Sequence, residues 1–189
     1  MKAGEAAVIR PVLVADAAGI ARVHVAAWRD TYPNILPAAY LVGLSAEVLE
    51  RRWRARLGRP GSRSATFVAE DPRAGVAGYA TCGPHRARRP PGIDGEFYEI
   101  YVDPAAQGCS IGRRLVAAMA AHLLAHQMRS ACVRVLRDNP TCWFYRHLAG
   151  RLALEDTIRF AGVSLPQQTY TWPDPGSLER LAGPAGGTA

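Results

Sequence analysis

The sequence predicts one α/β (α+β) domain in which helices flank a mixed β-sheet. The chain has 189 residues, 49% of them hydrophobic and 21% charged, which is typical of one globular domain with an adequate core. Strand-like and helical stretches alternate over residues 8–172. Residues 96–136 have the order strand, helix, strand, which predicts two parallel strands joined by a right-handed crossover.

The N-terminal third is predicted to be one strand followed by helices. Val8–Val14 is expected to be the first strand. Asp16 is a suitable N-cap for a helix over Ala17–Asp30, because its carboxylate can accept a hydrogen bond from a free backbone N–H. A short helix over Ala38–Leu44 and a longer one over Ala46–Leu57 are expected to follow.

The middle of the chain contains the strongest strand signals. Ala65–Asp71 and Val76–Cys82 are joined by a short turn with Pro and Gly, which predicts a hairpin. Glu96–Asp103, rich in aromatic and β-branched residues, predicts a further strand. The apolar spacing becomes helical over Ile111–Ala125, and Ala131–Leu136 is an apolar strand.

The C-terminal part is predicted to complete the sheet and then to become loose. Thr141–Leu148 is expected to be a short helix, and Leu152–Ile158 and Gln168–Trp172 a final pair of strands. Residues 173–189 are rich in Gly and Pro and are predicted to be a flexible tail. The predicted domain therefore spans residues 1–172.

Composition argues against several classes of protein. No apolar run approaches the ~20 residues that a membrane span needs, and residues 1–5 lead into no apolar signal core. The four cysteines are scattered without a C-x-x-C pair, which argues against a zinc site or a disulfide framework. We therefore expect a cytoplasmic protein. The net charge of +7 admits an anionic partner: nucleic acid, acidic lipid or a phosphorylated small molecule.

One segment of the sequence predicts a specific binding site for an anion. After a strand that ends near Val102, small residues form a loop, and a helix begins at Ile111. The first N–H groups of a helix lack intrahelical partners and lie at the positive end of its dipole, so they bind phosphate. Gly108 and Gly112 let a ligand approach the backbone, and Arg113 adds a full positive charge. The loop therefore predicts a polyphosphate site.

Three motifs resemble those of a known enzyme family. Residues 107–112 read Gln-x-x-Ser-x-Gly and follow Ile-x-Val-x-Pro at residues 100–104. Residues 139–145 read Asn-Pro-Thr-Cys-Trp-Phe-Tyr, and residues 28–32 read Trp-Arg-x-x-Tyr. On these residues the chain resembles the GCN5-related N-acetyltransferase (GNAT) superfamily, and the resemblance extends over residues 8–172.

The resemblance implies a GNAT fold and a cofactor. In that fold a central, mostly antiparallel sheet contains one parallel pair, here residues 96–103 and 131–136, that splays apart to admit CoA. Acetyl-CoA is the implied co-substrate, and no metal is implied. The pyrophosphate would contact the loop backbone, and the pantetheine arm and thioester would contact the strand before it. The implied cofactor-binding residues are Ile100, Tyr101, Val102, Gln107, Gly108, Cys109, Ser110, Ile111, Gly112, Arg113 and Asn139.

The resemblance also implies catalytic residues for direct transfer of an acetyl group to an amine. Tyr145 stands where the family has its general acid, near the CoA sulfur; the alternative is a core aromatic residue. Glu96 stands eleven positions before Gln107, where the histone-modifying branch carries its catalytic glutamate, and a closed cleft would raise its pKa as a base requires. An ordered water is the alternative base. Glu99 has the opposite parity and is expected on the other side of the strand.

The acceptor is expected to be a primary amine of a small molecule or a peptide. Trp28 and Tyr32 lie four residues apart on one helix face, where they either flank the acceptor or pack in the core. Homodimers are common in the family, so a homodimer is compatible with the resemblance.

The sequence departs from the family motif at one position. Ser110 stands where the family has the first glycine of its Gly-x-Gly pair, and a positive φ at this position would strain a serine.

A serine hydrolase is one competing hypothesis. Residues 108–112 also read Gly-x-Ser-x-Gly, the pattern of a nucleophile elbow. Asp138 and His147 follow Ser110 in the order of a hydrolase triad. Against this, the loop after Val102 is too long for a sharp elbow, and the two candidate partners are only nine residues apart.

A second competing hypothesis is a non-catalytic protein that binds acyl-CoA or nucleic acid. Arg51–Arg59 and His85–Arg89 are the basic clusters, but no nucleic-acid motif accompanies them. They therefore predict solvated surface, and nucleic acid is not expected as a partner.

A metal site is a further possibility in the sequence. His122 and His126 are four residues apart on a helix and could hold a metal, but no third ligand is evident.

Overall fold

Seven strands in the described part of the chain form one mixed sheet. The computed structural model describes residues 7–58, 63–87 and 89–183. The strands are β1 (Val8–Pro11), β2 (Ala65–Asp71), β3 (Gly75–Pro84), β4 (Gly95–Val102), β5 (Ala131–Leu136), β6 (Arg151–Phe160) and β7 (Val163–Trp172). The helices are α1 (Ala17–Thr31), α2 (Ala38–Val42), α3 (Ala46–Leu57), α4 (Ile111–Ala125), α5 (Cys142–His147) and α6 (Pro175–Ala182).

The strand order confirms the predicted mixed sheet. It is β1-β2-β3-β4-β5-β7-β6, and every neighbouring pair is antiparallel except β4 and β5. The β2–β3 hairpin forms as expected, and its turn is closed by the Asp71 carboxylate, which accepts hydrogen bonds from the N–H groups of Arg73 and Ala74, both at 2.8 Å.

The parallel pair is splayed. β4 and β5 pair only at Gly95↔Ala131, Glu96↔Cys132 and Phe97↔Val133. Beyond this point β4 continues along β3 as far as Val102, and β5 continues along β7 as far as Leu136. Because each strand stays with its outer neighbour, the sheet opens between the two strands at their carboxyl ends.

Helices cover both faces of the sheet, as its two apolar faces require. On one face, Leu115, Met119 and Leu123 of α4 follow the helical repeat and are fully buried against the sheet. On the other, Ile20 of α1 and Trp53 of α3 form a second cluster. None of the described helices is long and apolar enough to cross a membrane.

The first strand and the first helix differ from their predictions. β1 ends at Pro11 rather than Val14. Asp16 precedes α1 but makes no side-chain cap, so the predicted N-cap is wrong. Its carboxylate accepts from the Leu13 N–H at 2.7 Å and from the Arg10 guanidinium at 2.7 and 2.8 Å. An ion pair within hydrogen-bond distance has displaced the cap.

The last two strands are longer than predicted. The predicted pair stops at Ile158 and resumes at Gln168, whereas the observed hairpin continues to a two-residue turn at Ala161 and Gly162. Both turn residues have positive φ, +48° and +82°, as tight hairpins require. Pro166, which has no backbone N–H to donate, lies inside β7.

The flexible tail expected after β7 is wrong for its described part, which forms α6. The Asp174 carboxylate caps this helix by accepting from the Ser177 N–H at 2.8 Å. Leu178 is fully buried, and α6 packs on α4. The apolar contact explains why a segment rich in Gly and Pro is ordered. Residues 184–189 of the tail and residues 1–5 of the N-terminal expectation lie outside the described ranges.

Candidate active site

The loop between β4 and α4 makes a tight entry to the helix. Gly108 and Ser110 both have positive φ, +79° and +58°. The left-handed region costs a non-glycine residue about 1–2 kcal/mol, so the strain expected at Ser110 is present. The Ser110 side chain makes no capping hydrogen bond. The first turn of α4 therefore presents its N–H groups without a capping side chain.

The two glycines of the motif have different surroundings. A Cβ built on Gly112 would lie 3.4 Å from Cζ of Phe144, on α5, which is ordinary van der Waals contact. Gly112 therefore lies where α4 faces α5. Gly108 has nothing within 4 Å of an added Cβ, and its positive φ is the feature that favours glycine there.

The gap between β4 and β5 opens into a cavity of about 670 Å³. Its walls come from both strands, the loop before α4, α1 and α5. Nearly all of the residues proposed from the sequence line this cavity: Trp28, Tyr32, Glu96, Ile100, Tyr101, Val102, Gln107, Gly108, Ser110, Ile111, Gly112, Arg113, Asn139 and Tyr145. Cys109 is exposed and does not line the cavity.

Asn139 holds α5 in place beside the cavity. Its Oδ1 accepts from the N–H and the hydroxyl of Thr141, both at 2.8 Å, and its Nδ2 donates to the Tyr32 hydroxyl at 3.0 Å. These bonds tie the start of α5 to the end of α1. Tyr145, on α5, is 7% exposed, and burial raises the pKa of its phenol above the usual value. The phenol therefore stays protonated at neutral pH.

Aromatic rings form the wall opposite the loop. The Trp28 ring centroid lies 5.0 Å from that of Tyr32, 5.9 Å from that of Phe160 and 6.2 Å from that of Tyr101. All four residues line the cavity. The Trp28 indole N–H is buried and has no hydrogen-bond partner within the described ranges. Trp28 and Tyr32 therefore both pack against neighbours and face the cavity.

Glu96 is buried inside a charged cluster. It is 1% exposed and accepts hydrogen bonds from Arg134 at 2.8 Å and from the Arg86 guanidinium and N–H at 2.9 and 3.0 Å. Burial alone would raise the pKa of Glu96, but these hydrogen bonds outweigh it and lower the pKa. The expected raised pKa is therefore wrong. Nothing in the local sequence indicated the two arginines.

Glu99 faces the same cavity as Glu96, contrary to the parity prediction. In the β3–β4 ladder Thr81 pairs with Glu99, but the next residue of β3 pairs with Phe97, so Tyr98 is extra. This β-bulge returns Glu99 to the face that Glu96 occupies. Burial raises the pKa of Glu99. The register between two strands, which no local pattern specified, decides this position.

The hydrolase triad is not assembled. Nδ1 of His147 donates to the Trp143 carbonyl oxygen at 2.8 Å, rather than to an acid. Asp138 pairs with Arg137 at 3.1 Å. Among the residues described, no hydrogen bond joins the side chains of Ser110 and His147. The hydrolase hypothesis therefore finds no geometric support.

The two helical histidines make backbone contacts. Nε2 of His122 lies 3.1 Å from the Arg63 carbonyl oxygen, and Nδ1 of His126 lies 2.9 Å from that of His122. No third ligand joins them within the described ranges. Their arrangement is that of a helix end, not of a metal centre.

A second group of possible metal ligands lies beside Glu96. Ligand atoms of His85, Glu96 and Cys132 lie within 4.8 Å of one another. The carboxylate already accepts from two arginines, and burial raises the pKa of the Cys132 thiol to about 12. A charge-neutralised carboxylate and a protonated thiol do not favour a cation.

The basic clusters are partly engaged in intramolecular contacts. Arg54 bonds Glu50 at 2.8 and 2.9 Å on the surface of α3, and the Arg56 guanidinium lies 4.8 Å from the Trp53 ring centroid. The Arg86 guanidinium lies 3.7 Å from the Tyr98 ring centroid. Residues 59 and 88 of these clusters lie outside the described ranges.

Comparison with known proteins identifies the family. A model of the acetyltransferase (GNAT) domain matches residues 62–148. YuaI of Bacillus subtilis (strain 168), an uncharacterized N-acetyltransferase, is 37% identical over 173 residues, covering 92% of this chain and 96% of the relative.

Solved structures have the same fold. A GCN5-related N-acetyltransferase from Rhodopseudomonas palustris matches with TM-score 0.67 at 20% identity, over 90% of this chain and 98% of that one. YncA of Salmonella typhimurium, solved with its cofactor acetyl-CoA, matches with TM-score 0.65 at 20% identity, over 90% and 95%. The family model and the Bacillus relative, together with this fold, show that the chain belongs to the GCN5-related N-acetyltransferase superfamily and is an N-acetyltransferase.

Proposed function

We propose that the chain moves an acetyl group from acetyl-CoA to a primary amine by direct attack in a ternary complex. The observation that carries the proposal is the splayed pair β4 and β5, which opens into one cavity between a phosphate-type loop and Tyr145. A cofactor arm and an acceptor amine can meet there without a covalent enzyme intermediate. The YncA structure, which holds acetyl-CoA, supports the choice of donor.

In this proposal the loop and β4 hold the donor. Backbone N–H groups at the start of α4 bind the pyrophosphate, and Arg113 neutralises part of its charge. Ile100–Val102, released from β5 by the splay, offer backbone groups to the pantetheine arm and the thioester oxygen. Polarising that oxygen favours attack at the carbonyl carbon. Asn139 acts by positioning α5 rather than by contacting CoA.

Tyr145 is the proposed general acid. As the amine nitrogen bonds to the carbonyl carbon, the C–S bond breaks and the sulfur needs a proton. The Tyr145 phenol lines the cavity, and its raised pKa keeps it protonated at neutral pH. It donates its proton to the departing sulfur and recovers one as the nitrogen becomes an amide.

Glu96 is proposed as a positioning residue rather than as the base. Its lowered pKa keeps it ionised, and its oxygens already accept from Arg86 and Arg134. It therefore fixes two arginines at the edge of the cavity.

The proposed acceptor is a primary amine of a small molecule or peptide. The cytoplasmic location and the homodimer stay predictions.

Calorimetry with acetyl-CoA and turnover of Tyr145→Phe test the proposal. The wild type is expected to bind acetyl-CoA below ~1 mM, the upper range of common KM values. Tyr145→Phe should lower kcat about 100-fold with an unchanged Kd for acetyl-CoA. Tyr40→Phe, which removes a hydroxyl outside the cavity lining, is the matched control and should keep both. Absence of acetyl-CoA binding by the wild type would contradict the proposal.

A further inference from the structure

The cavity lining includes a carboxylate, that of Glu99, with one buried oxygen, Oε2, that has no hydrogen-bond partner among the described residues. None of the ion pairs there includes Glu99. Buried polar groups are nearly always satisfied, so each exception requires a reason. A missing ligand that donates a hydrogen bond is such a reason, because Glu99 lines the cavity.

Within residues 7–58, 63–87 and 89–183, no cationic side chain forms an ion pair with Glu99. Arg56 on α3 and Arg86 after β3 influence the carboxylate through space, yet neither forms an ion pair with it among the pairs described. On β3, the Tyr79 hydroxyl lies beside the carboxylate and 2.7 Å from Nδ1 of His24 on α1. Burial lowers the pKa of His24 to about 4, so this histidine is neutral at physiological pH.

The remaining neighbours are aromatic. Tyr101, two residues along β4 from Glu99, interacts with it electrostatically. Trp28, Tyr32 and Phe160 line the same cavity. The faces of aromatic rings attract cations, and an unpaired carboxylate attracts them more strongly. This part of the cavity therefore has the chemistry of a site for an organic ammonium ion.

We propose, on the basis of the proposed acetyl transfer, that the acceptor is an aliphatic primary amine that binds as its ammonium ion, and that Glu99 receives this ion and takes its proton. An alkyl chain fits beside the aromatic rings, and the ammonium N–H groups satisfy the free carboxylate oxygen. Glu99 thus sets specificity and acts as the base.

The protons balance as follows. The ammonium ion gives one proton to Glu99, breaking an N–H bond and forming an O–H bond. The free lone pair forms the N–C bond, the C–S bond breaks, and the sulfur takes a proton from Tyr145. A second N–H proton returns to Tyr145 as the amide forms. Glu99 releases its proton to solvent, so each turnover yields one amide, one CoA thiol and one proton.

Glu99 has the protonation behaviour that this role requires. Burial raises its pKa toward the working pH, which suits a base that accepts and later releases a proton. Glu96, on the same face, has a lowered pKa and would return a proton too readily to hold it. Geometry and protonation therefore both favour Glu99.

Acetylation of two probe amines tests the proposal. n-Butylamine is a cation at neutral pH, and aniline is neutral. Glu99→Gln is expected to lower kcat/KM for n-butylamine at least 100-fold, to change that for aniline much less, and to remove the acidic limb of the pH profile. Glu99→Asp, which keeps a carboxylate, should recover part of the activity. Glu50→Gln, on the exposed face of α3, is the control and should match the wild type.

Calorimetry of acetyl-CoA binding to the same variants distinguishes failure of the Glu99 inference from failure of the proposed function. Unchanged acetyl-CoA affinity with the selective loss supports the inference. Unchanged affinity with equal losses for both amines, or with no loss, overturns the role of Glu99 and leaves acetyl transfer standing. If no probe is acetylated, n-butylammonium binding decides: affinity that is equal in the wild type and Glu99→Gln overturns the inference. Failure of the wild type to bind acetyl-CoA overturns the proposed function itself.

Discussion

Glu96 and Glu99 lie on the same strand and line the same cavity, yet the protein treats them in opposite ways. Arg86 and Arg134 surround Glu96 and lower its pKa. Glu99 forms no ion pair in the part of the chain that the structure describes, and burial raises its pKa. The difference arises from their neighbours and not from the side chains, which are identical. Burial makes a carboxylate a base or a structural anion according to what the surrounding elements supply.

The same difference affects how each residue contributes to folding stability. A buried carboxylate with ionic partners stabilises the fold only while those partners remain, because removing one charge of the pair leaves the other buried and uncompensated. An unpaired buried carboxylate opposes folding and is retained where function needs it. The two glutamates should therefore respond in opposite directions to the same isosteric substitution.

The largest effect is expected from Glu96→Gln. Loss of the negative charge leaves Arg86 and Arg134 without their acceptor, and the free energy of unfolding should fall by about 3 kcal/mol. Because the folded-state pKa of Glu96 is lowered, its stabilisation is present at neutral pH and is lost as the pH falls below the ordinary carboxyl range. Urea denaturation at pH 7 and pH 3 measures both.

Glu50→Gln is the control for that measurement. Glu50 forms an exposed pair with Arg54, whose loss should cost less than about 0.5 kcal/mol. Equal losses in Glu96→Gln and Glu50→Gln would show that the buried cluster contributes no more than a surface pair.

An intermediate effect is expected from Arg134→Met, which makes Glu96 more like Glu99. Removing one guanidinium should raise the pKa of Glu96 from its lowered value and reduce the free energy of unfolding by about 2 kcal/mol. The same change should leave the pKa of Glu99 unaltered, because Arg134 does not contribute to it. The pH dependence of denaturation measures the first effect. A pKa of Glu96 that does not move would argue against Arg134 as its partner.

The smallest effect, of opposite sign, is expected from Glu99→Gln. Its raised folded-state pKa means that the wild type loses stability as the pH rises from the ordinary carboxyl range through that pKa. Removing the charge should therefore increase the free energy of unfolding at pH 8 by about 1 kcal/mol, and the gain should disappear near pH 4. Differential scanning calorimetry at the two pH values measures it. A lower stability at pH 8 would mean that the carboxylate has a cationic partner.

The loop between β4 and α4 could be predicted from sequence because it is local. Gly108, Ser110 and Gly112 stand within one loop and one helix turn, and their conformations follow from the order of strand, loop and helix. The parallel pairing of β4 and β5 follows from the strand–helix–strand order, and their splay was implied by the family resemblance. The predictions that were wrong depend on contacts between residues distant in sequence. The pairing of β4 with β3 determines the bulge at Tyr98, and Arg134 lies 38 residues from Glu96.

The C-terminal errors have a different cause, since the signals were present but outweighed. Asp174 followed by Pro175 is a good start for a helix, yet the Gly and Pro content of the segment suggested a tail. Ala161-Gly162 is a two-residue turn, yet the predicted strands stopped short of it on both sides. For α6, tertiary packing overrode composition: Leu178 is buried, and the helix packs on α4.

Carbon-13 NMR titration of the side-chain carboxyls of Glu96 and Glu99, assigned with the two Gln variants, tests the comparison most directly. We expect the Glu99 carboxyl to titrate above the ordinary glutamate pKa and the Glu96 carboxyl below it, because burial dominates at one and two arginines dominate at the other. Adding n-butylammonium should lower the pKa of Glu99 and leave that of Glu96 unchanged. The reverse order of the two pKa values, or a single shared value, would contradict the account.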